Sequence, residues 1–308
     1  MGAVPSVDAV MATGIEIRLA GAGGEPVDFV RTIMSHGIAD LPPAHIDEEA
    51  RSYSTTLALP AGPPRTVLIT EGRPGFARVI VQGRRPSART LDALTRAVHQ
   101  ILNLDEDLSE FYALVADDPD LSWAALGAGR MLRTPTAFEA VVKTICTTNC
   151  AWSATVRMTT ALVDHLGAAA PDGRRAFPTP AAMAEAGEEF YRDVVRAGYR
   201  GAYLRALAAN VADSRLDLEA LNDPELDDDE VAARLLALPG CGPYATAHMM
   251  MLLGRYSRLI LDAWTRPTYA RLNGRKAADR TIERRFRRYG EFAGLAFWLY
   301  LTRDWVAA

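Results

Sequence analysis

Residues 230–272, EVAARLLALPGCGPYATAHMMMLLGRYSRLILDAWTRPTYARL, are the stretch that decides the fold. From Glu230 to Leu238, apolar residues recur at three- and four-residue intervals, which predicts a helix. The run PGCGP at 239–243 then breaks this helix with residues that permit a tight turn. A second helix is predicted from Tyr244 to Leu253, and because it is apolar on most of its surface we expect it to be buried. Gly254 is placed to end it.

The helical hairpin at 230–254 has one obvious chemical use. The turn around Gly240 and Gly242 and the start of the second helix present unpaired backbone N–H groups, which attract anions. A nucleic-acid phosphate is a natural ligand, because such a contact needs no base sequence. An ordinary helix turn in an all-α core explains the hairpin equally well, so the hairpin alone does not decide between the two.

A carboxylate follows in the segment 259–272. Asp262 comes directly after the apolar run Leu259 to Leu261, at the expected start of a third helix. Aspartate is a good N-cap, and capping is the commoner role for an aspartate at such a position. Without its neighbours, Asp262 would therefore be interpreted as a cap.

Leu238-Pro239-Gly240-Cys241-Gly242 and, one helix later, Leu261-Asp262 resemble the LPGxGxxTA…VD signature of the helix-hairpin-helix (HhH-GPD) DNA glycosylase superfamily. The aspartate of that signature is essential for cleaving the N-glycosidic bond, so the resemblance implies that Asp262 is catalytic. It also implies that the hairpin around Gly240 and Gly242 holds the DNA backbone. The branch implied is that of 3-methyladenine DNA glycosylase II and the 8-oxoguanine DNA glycosylases.

Tyr244 stands where the family's bifunctional members carry a lysine, two residues after the second hairpin glycine. Without that amine no Schiff base forms with the sugar, so the resemblance implies a glycosylase without lyase activity. A lysine from elsewhere, such as Lys143 or Lys276, is the alternative. The chain departs from the signature at Ala245-Thr246 and at Ala263-Trp264.

The run FEAVVKTICTTNCAWSATVRMTTALVDHL at 138–166 predicts two helices, the second starting near Trp152. Thr147-Thr148-Asn149 interrupts them with residues that favour turns and caps. The run resembles the corresponding piece of the 8-oxoguanine glycosylases, in which an asparagine enters the duplex and contacts the base left unpaired. Asn149 matches that asparagine, whereas the alkylation-repair enzymes have an apolar wedge there. A helix cap is the alternative role for Asn149.

Three aromatic residues are candidates for a base pocket. Trp152 and Trp264 could stack on a flipped base, because an electron-poor alkylated purine favours an aromatic wall. Tyr244 is assigned to the same pocket. Packing in the core is the alternative for each tryptophan.

The region before residue 85 has a different texture. Alternating or β-branched runs at 15–19, 54–59, 65–70 and 76–81 predict strands, and Val27 to His36 predicts a short helix. We therefore predict an α+β fold, with a small N-terminal antiparallel β-sheet and one helix at 14–85 and a mostly α-helical, two-lobed HhH-GPD body at 86–308. No site chemistry is expected in the sheet region, and Met1 to Thr13 is expected to be a loose terminus.

The charge is unevenly distributed. The 308 residues carry a net charge of −4, which argues mildly against a protein that coats nucleic acid. Basic residues nevertheless crowd the C-terminal part: Arg271, Arg275, Lys276, Arg280, Arg284, Arg285, Arg287 and Arg288. A local basic face is what phosphate binding needs, although a solvated helix face is the commoner explanation.

Several classes of protein are disfavoured. We see no apolar run that would span a membrane and expect no signal peptide. The three cysteines, Cys146, Cys150 and Cys241, form no disulfide framework, which favours a reducing cytoplasm. Many relatives carry a four-cysteine iron–sulfur cluster after the catalytic region, but no cysteine follows Cys241, so no cluster and no other cofactor or metal is expected.

The sequence thus predicts a monofunctional base-excision-repair enzyme, a cytoplasmic, nucleoid-associated monomer that hydrolyses the N-glycosidic bond of a damaged base in double-stranded DNA. An alkylated purine of the 3-methyladenine type is the predicted lesion. The alternatives are an 8-oxoguanine or mismatch glycosylase, with or without lyase activity, and a non-catalytic DNA-binding protein that uses the hairpin alone.

Overall fold

The computed structural model describes residues 13–306 and begins with a five-stranded antiparallel sheet. Its spatial order is β1-β5-β4-β3-β2. The strands are β1 (Thr13–Arg18), β2 (His45–Asp47), β3 (Ser52–Leu57), β4 (Arg65–Glu71) and β5 (Phe76–Val81). Strand β2 was not predicted, because three residues are too few to show an alternating pattern.

One face of the sheet is covered by two helices. The inward residues of β4 and β5, such as Val67 and Val79, are fully buried. They pack with α1 (Phe29–Ile33) and α2 (Ala88–Ile101) in one apolar cluster. Both helices begin at a side-chain cap, since Asp28 and Ser87 each accept a hydrogen bond from a first-turn N–H group.

The remainder of the described chain is helical. It comprises α3 (Ser109–Val115), α4 (Ala137–Thr147), α5 (Trp152–Leu166), α6 (Pro180–Glu185), α7 (Arg200–Ala212), α8 (Asp228–Leu236), α9 (Pro243–Leu252), α10 (Thr265–Leu272), α11 (Asp279–Phe286) and α12 (Ala293–Thr302), with short 3₁₀ and π turns between them. Helices α4 to α9 surround one core, which we call the first lobe. Helices α3 and α10 to α12 surround another, the second lobe.

Helix α9 belongs to both lobes. Met249 and Met250 are buried in the core of the first lobe, while Ala247 and Met251 are buried in that of the second. Two cores on opposite sides require apolar residues all round the helix, which is the pattern its sequence shows. The helix ends at Gly254, whose φ of +79° places it in the left-handed region.

The segment 35–41 joins the sheet region to both lobes. The carbonyl of Ser35 accepts a hydrogen bond from Trp298 Nε1 of α12 (2.8 Å). The carbonyl of Leu41 accepts one from Lys143 Nζ of α4 (2.9 Å). The sheet region is therefore fixed directly to both lobes.

The predicted fold class is confirmed, with an antiparallel sheet followed by a mostly helical body. Apart from Thr13, which begins β1, the predicted loose terminus lies outside the described residues. Among the described helices, none is both long and apolar enough to cross a membrane.

His36 provides a test of this packing. Its Nε2–H donates to the carbonyl of Leu132 (2.8 Å) and its Nδ1 accepts from the N–H of Ala39 (3.2 Å), an arrangement that requires the neutral ring. Burial lowers the pKa of His36 to about 4. The unfolded chain takes up this proton below the ordinary pKa of 6.5, so the stability contributed by the neutral ring is lost as the pH falls.

We predict that the free energy of unfolding that His36 contributes is about 2 kcal/mol smaller at pH 5 than at pH 7. Urea unfolding of the wild type and of His36→Gln at both pH values measures this difference. The glutamine is neutral throughout, and the other titrating groups are common to both proteins. A difference between the two proteins that does not change with pH contradicts the prediction.

Candidate active site

The hairpin turn between α8 and α9 requires glycine at its first position. Gly240 has a φ of +86°, a conformation that side chains rarely adopt. A Cβ atom there would lie 3.0 Å from the ring of Tyr203 and 3.4 Å from Ile145. Gly240 thus lets α7 and α4 approach the turn closely, which is a role in the fold.

Gly242 differs from Gly240. Its φ of −85° suits any residue, and a Cβ atom built on it meets no atom within 4 Å. It stands at the N-cap of α9, and no side chain in residues 13–306 caps this helix. Pro243 at the first position of α9 has no N–H group, so the first-turn amides without a partner among the described residues are those of Tyr244 and Ala245, at the positive end of a ten-residue helix, an arrangement that suits an anion.

Asp262 lies three residues before α10 and caps its first turn. Its Oδ1 accepts hydrogen bonds from the N–H groups of Trp264 (2.8 Å) and Thr265 (2.6 Å), while its own N–H donates to Thr265 Oγ1 (2.8 Å). The side chain is half-buried. Oδ2 has no hydrogen-bond partner among the described residues. The carboxylate is thus held rigidly through one oxygen and keeps the other free.

Tyr244 lies close to this carboxylate. The ring is part-buried on α9, and its hydroxyl lies 3.4 Å from Thr147 Oγ1. Burial raises the pKa of Tyr244, and the charge of Asp262 raises it further. A groove of about 540 Å³ runs past this point, with Tyr244, Leu261 and Arg266 among its lining residues. The start of α9 therefore lines an open groove, and the charge of Asp262 acts on Tyr244 at this point.

An aromatic cluster lies beside Asp262. Trp264 is 5.6 Å from Trp298 and 5.6 Å from Trp305, measured between ring centroids. Trp298 in turn is 6.4 Å from His248, which is 5.9 Å from Tyr244. The two lobes thus jointly supply a continuous set of rings; we call Tyr244, His248, Trp264, Trp298, Trp305 and His36 the aromatic cluster.

His36 extends this cluster into the sheet region, since its ring is 6.2 Å from that of His248. Next to it, Trp152 lies against Gly37, where a Cβ atom would be 3.4 Å from the indole ring. Trp152 remains 49 % exposed and Trp264 40 % exposed. Of the three predicted pocket residues, Tyr244 and Trp264 belong to the cluster, and Trp152 covers its edge at Gly37.

The sequence does not predict this contribution from the sheet region, nor that Trp298, which is buried in the core of the second lobe, contacts Trp264 and His248. His248 has a sequence signal that could have revealed it, because it lies four residues after Tyr244 and so on the same face of α9. His36, Trp298 and Trp305 have none, since only the tertiary packing brings them to Asp262.

Asn149 lies at the tip of the turn between α4 and α5. It is exposed, and its φ of +47° is left-handed. Its Nδ2 donates to the hydroxyl of Tyr199 (3.3 Å), itself 53 % exposed. Arg200 holds the turn from behind by donating to the carbonyl of Thr148. Two polar side chains, those of Asn149 and Tyr199, are therefore exposed at the turn, while Arg200 fixes its backbone.

Neither lysine of the 308 residues lies at the position of Tyr244. Lys143 is 1 % exposed, forms an ion pair with Glu139 (2.6 Å) and donates to the carbonyl of Leu41. Lys276 is exposed in the loop after α10, beside a separate surface groove. Lys143 is thus committed to the core.

The basic C-terminal region divides into two groups. Arg285 donates to Asp120 (3.0 Å) and Arg288 to Asp118 (2.9 Å), so both tie α11 and the turn after it to the second lobe. Arg275, Lys276 and Arg284 line an open groove on the surface. At least two of the eight predicted basic residues therefore have structural roles.

No protein-family model matches the sequence, and no curated protein matches it either. Solved structures do match. The 3-methyladenine DNA-glycosylase from Archaeoglobus fulgidus is 21 % identical, with a TM-score of 0.71 over 95 % of this chain and 100 % of the other. The apo-form of the Clostridium acetobutylicum 8-oxoguanine glycosylase/lyase is 19 % identical, with a TM-score of 0.70 over 96 % and 98 % of the two chains.

The same Clostridium enzyme in complex with double-stranded DNA containing cytosine opposite 8-oxoG gives a TM-score of 0.70 at 20 % identity, covering 96 % of this chain and 98 % of the other. The fold is therefore that of the helix-hairpin-helix DNA glycosylases, and the resemblance drawn from the hairpin and aspartate motifs is confirmed at the level of fold.

The two hairpin glycines give a matched pair of variants. We predict that Gly240→Ala lowers the free energy of unfolding by about 2 kcal/mol, because a left-handed φ is strained for alanine and the methyl group presses on Tyr203. Gly242→Ala should change it by less than about 1 kcal/mol. Urea unfolding measures both. An equal loss of unfolding free energy in the two variants would contradict the distinction between a structurally required Gly240 and a structurally tolerant Gly242.

Proposed function

We propose that the protein is a monofunctional DNA glycosylase, which hydrolyses the N-glycosidic bond of a damaged base that has been flipped out of double-stranded DNA. The observation that carries the proposal is the half-buried Asp262 carboxylate, which is held through Oδ1 by the N–H groups of Trp264 and Thr265, keeps Oδ2 free and acts on Tyr244 of α9 through its charge.

Each part has a task in this reaction. An enzyme cannot reach the glycosidic bond inside a stacked duplex, so the nucleotide must be extruded. The first-turn amides of α9 would hold a backbone phosphate, and Gly242, lacking a side chain, would let it approach. Asn149 would fill the space left in the stack. This division places the DNA across the turn at 239–243 and the tip at Asn149.

Cleavage leaves positive charge on the sugar as the base departs. The free Oδ2 of Asp262 would stabilise that charge electrostatically, and the effect is large in a site from which water is excluded. The same oxygen can accept a proton from the water that attacks the anomeric carbon. Because Trp264 and Thr265 hold Oδ1, the carboxylate needs no reorganisation during the reaction.

We expect no strand cleavage because neither lysine of the chain is placed to attack the sugar. A lyase needs a neutral amine beside the anomeric carbon to form a Schiff base. Tyr244 stands where a lyase of the resembled family carries its lysine, and Lys143 is paired with Glu139 in the core. Lys276 lies on the surface loop after α10. The proposed product is therefore an intact strand with an abasic site.

The lesion we propose is an alkylated purine of the 3-methyladenine type. Rings with π faces and neutral histidines dominate the aromatic cluster, and burial lowers the pKa of His248 to about 3, so a cationic base meets no opposing charge there. A second candidate, 8-oxoguanine, is favoured by the asparagine at position 149.

The test is a panel of duplexes, each with one lesion: 3-methyladenine, 7-methylguanine, 8-oxoguanine, hypoxanthine or uracil. We predict release of free base, fastest for an alkylated purine, with strand breaks only after alkali. Borohydride should trap no covalent adduct. Strand breaks before alkali would overturn the monofunctional assignment. Failure to release a base from any duplex would overturn the proposal that the protein is a glycosylase.

Asp262→Asn is the control for this assay. Asparagine caps a helix as well as aspartate and keeps the acceptor for the two amides, so the fold should be preserved while the charge is lost. Excision should fall by at least about a hundredfold with duplex binding retained. Gly242→Ala should behave in the opposite way, weakening duplex binding about tenfold through its methyl group while thermal unfolding stays unchanged.

A further inference from the structure

The imidazole of His248 is buried, yet neither ring nitrogen has a hydrogen-bond partner among residues 13–306. The residue is only 6 % exposed. Buried polar groups in proteins nearly always have a partner, because leaving one unpaired is costly. Two unpaired nitrogens on one ring therefore indicate that the side chain serves something other than the stability of the free protein.

The neighbouring His36 gives the contrast. Both of its nitrogens are bonded, one to the carbonyl of Leu132 and one to the N–H of Ala39. The two rings are perpendicular, with centroids 6.2 Å apart. His36 has no hydrogen-bonding capacity left for a ligand, whereas His248, in the same surroundings, has all of its own.

The position of His248 points to the ligand. Its ring lies between Tyr244 and Trp298, at 5.9 Å and 6.4 Å, and both rings are linked to the candidate catalytic centre. The charge of Asp262 acts on Tyr244, and Trp298 contacts Trp264, whose N–H binds Asp262. A base that stacks on these rings would therefore lie next to His248.

Neutral imidazole carries one N–H donor and one lone pair. Burial keeps His248 in this form, since its pKa is about 3. The edges of a nucleobase also carry donors and acceptors in fixed positions. A site that is built to hydrogen-bond its ligand rejects an analogue that lacks the matching atom, because the site's own buried group then stays unpaired.

We infer that His248 is a specificity-determining residue, which hydrogen-bonds the edge of the extruded purine and selects it against bases that lack the matching atom at that edge. This inference rests on the proposed function. It goes beyond that function by assigning the choice of base to one side chain, whereas Asp262 acts on the sugar.

The experiment measures binding of free bases to the protein in complex with a duplex that holds a tetrahydrofuran abasic site. The probes are adenine, purine, 1-deazaadenine, 3-deazaadenine and 7-deazaadenine, each analogue lacking one edge atom or group. Quenching of tryptophan fluorescence reports binding, because Trp264, Trp298 and Trp305 belong to the cluster. We expect wild type to bind one analogue about tenfold more weakly than adenine.

Three variants then test whether His248 causes that preference. His248→Phe, nearly the same size, should bind adenine and that analogue equally. His248→Gln, which restores a donor and an acceptor, should recover part of the preference. His45→Gln is the control and should keep the full preference, since His45 is exposed on β2 and lies outside the aromatic cluster. Thermal melts confirm that each variant is folded.

An unchanged preference in His248→Phe overturns the inference, and so does a wild type that binds all five bases equally or none of them. These outcomes are independent of catalysis, because the assay cleaves no bond. Release of bases from lesion duplexes by a wild type that shows no such preference would refute the role of His248 and leave the proposed enzyme standing.

Discussion

Helix α9 has to fill two cores at once, and the rest of the structure depends on that constraint. Its methionines and alanines pack into both lobes, so its axis lies along the boundary between them. Pro243 and Tyr244 at its uncapped N-terminus line the groove, and His248 lies between Tyr244 and Trp298 of the second lobe. One buried helix thereby orients both the unpaired first-turn amides and two rings of the aromatic cluster.

Asp262 can combine a structural role with the proposed chemical one. Capping the first turn of α10 and acting on a sugar are compatible, because the cap uses only Oδ1. In the proposed reaction the cap would also serve the chemistry, since it fixes the orientation of the carboxylate through Oδ1. The interpretation of Asp262 as a plain cap, which the residue alone favours, thus describes half of the geometry.

Local patterns were sufficient for the hairpin, the apolar α9, the turn at Asn149 and the change from strands to helices, because each depends on residues near in sequence. The strand β2 was too short to show a pattern. The rest of the aromatic cluster could not be predicted, since His36 and Trp298 meet His248 only through the tertiary packing. Their meeting depends on the segment 35–41, fixed by hydrogen bonds to Trp298 and Lys143.

The central claim is that the Asp262 carboxylate faces positive charge on the sugar. Its most direct test compares the affinity for a duplex with a pyrrolidine abasic analogue, whose ring is cationic, with that for a duplex with a neutral tetrahydrofuran site. Wild type should bind the cationic analogue at least about a hundredfold more tightly, and Asp262→Asn should bind the two alike. Equal affinities in the wild type, or a preference that survives in Asp262→Asn, would contradict the account.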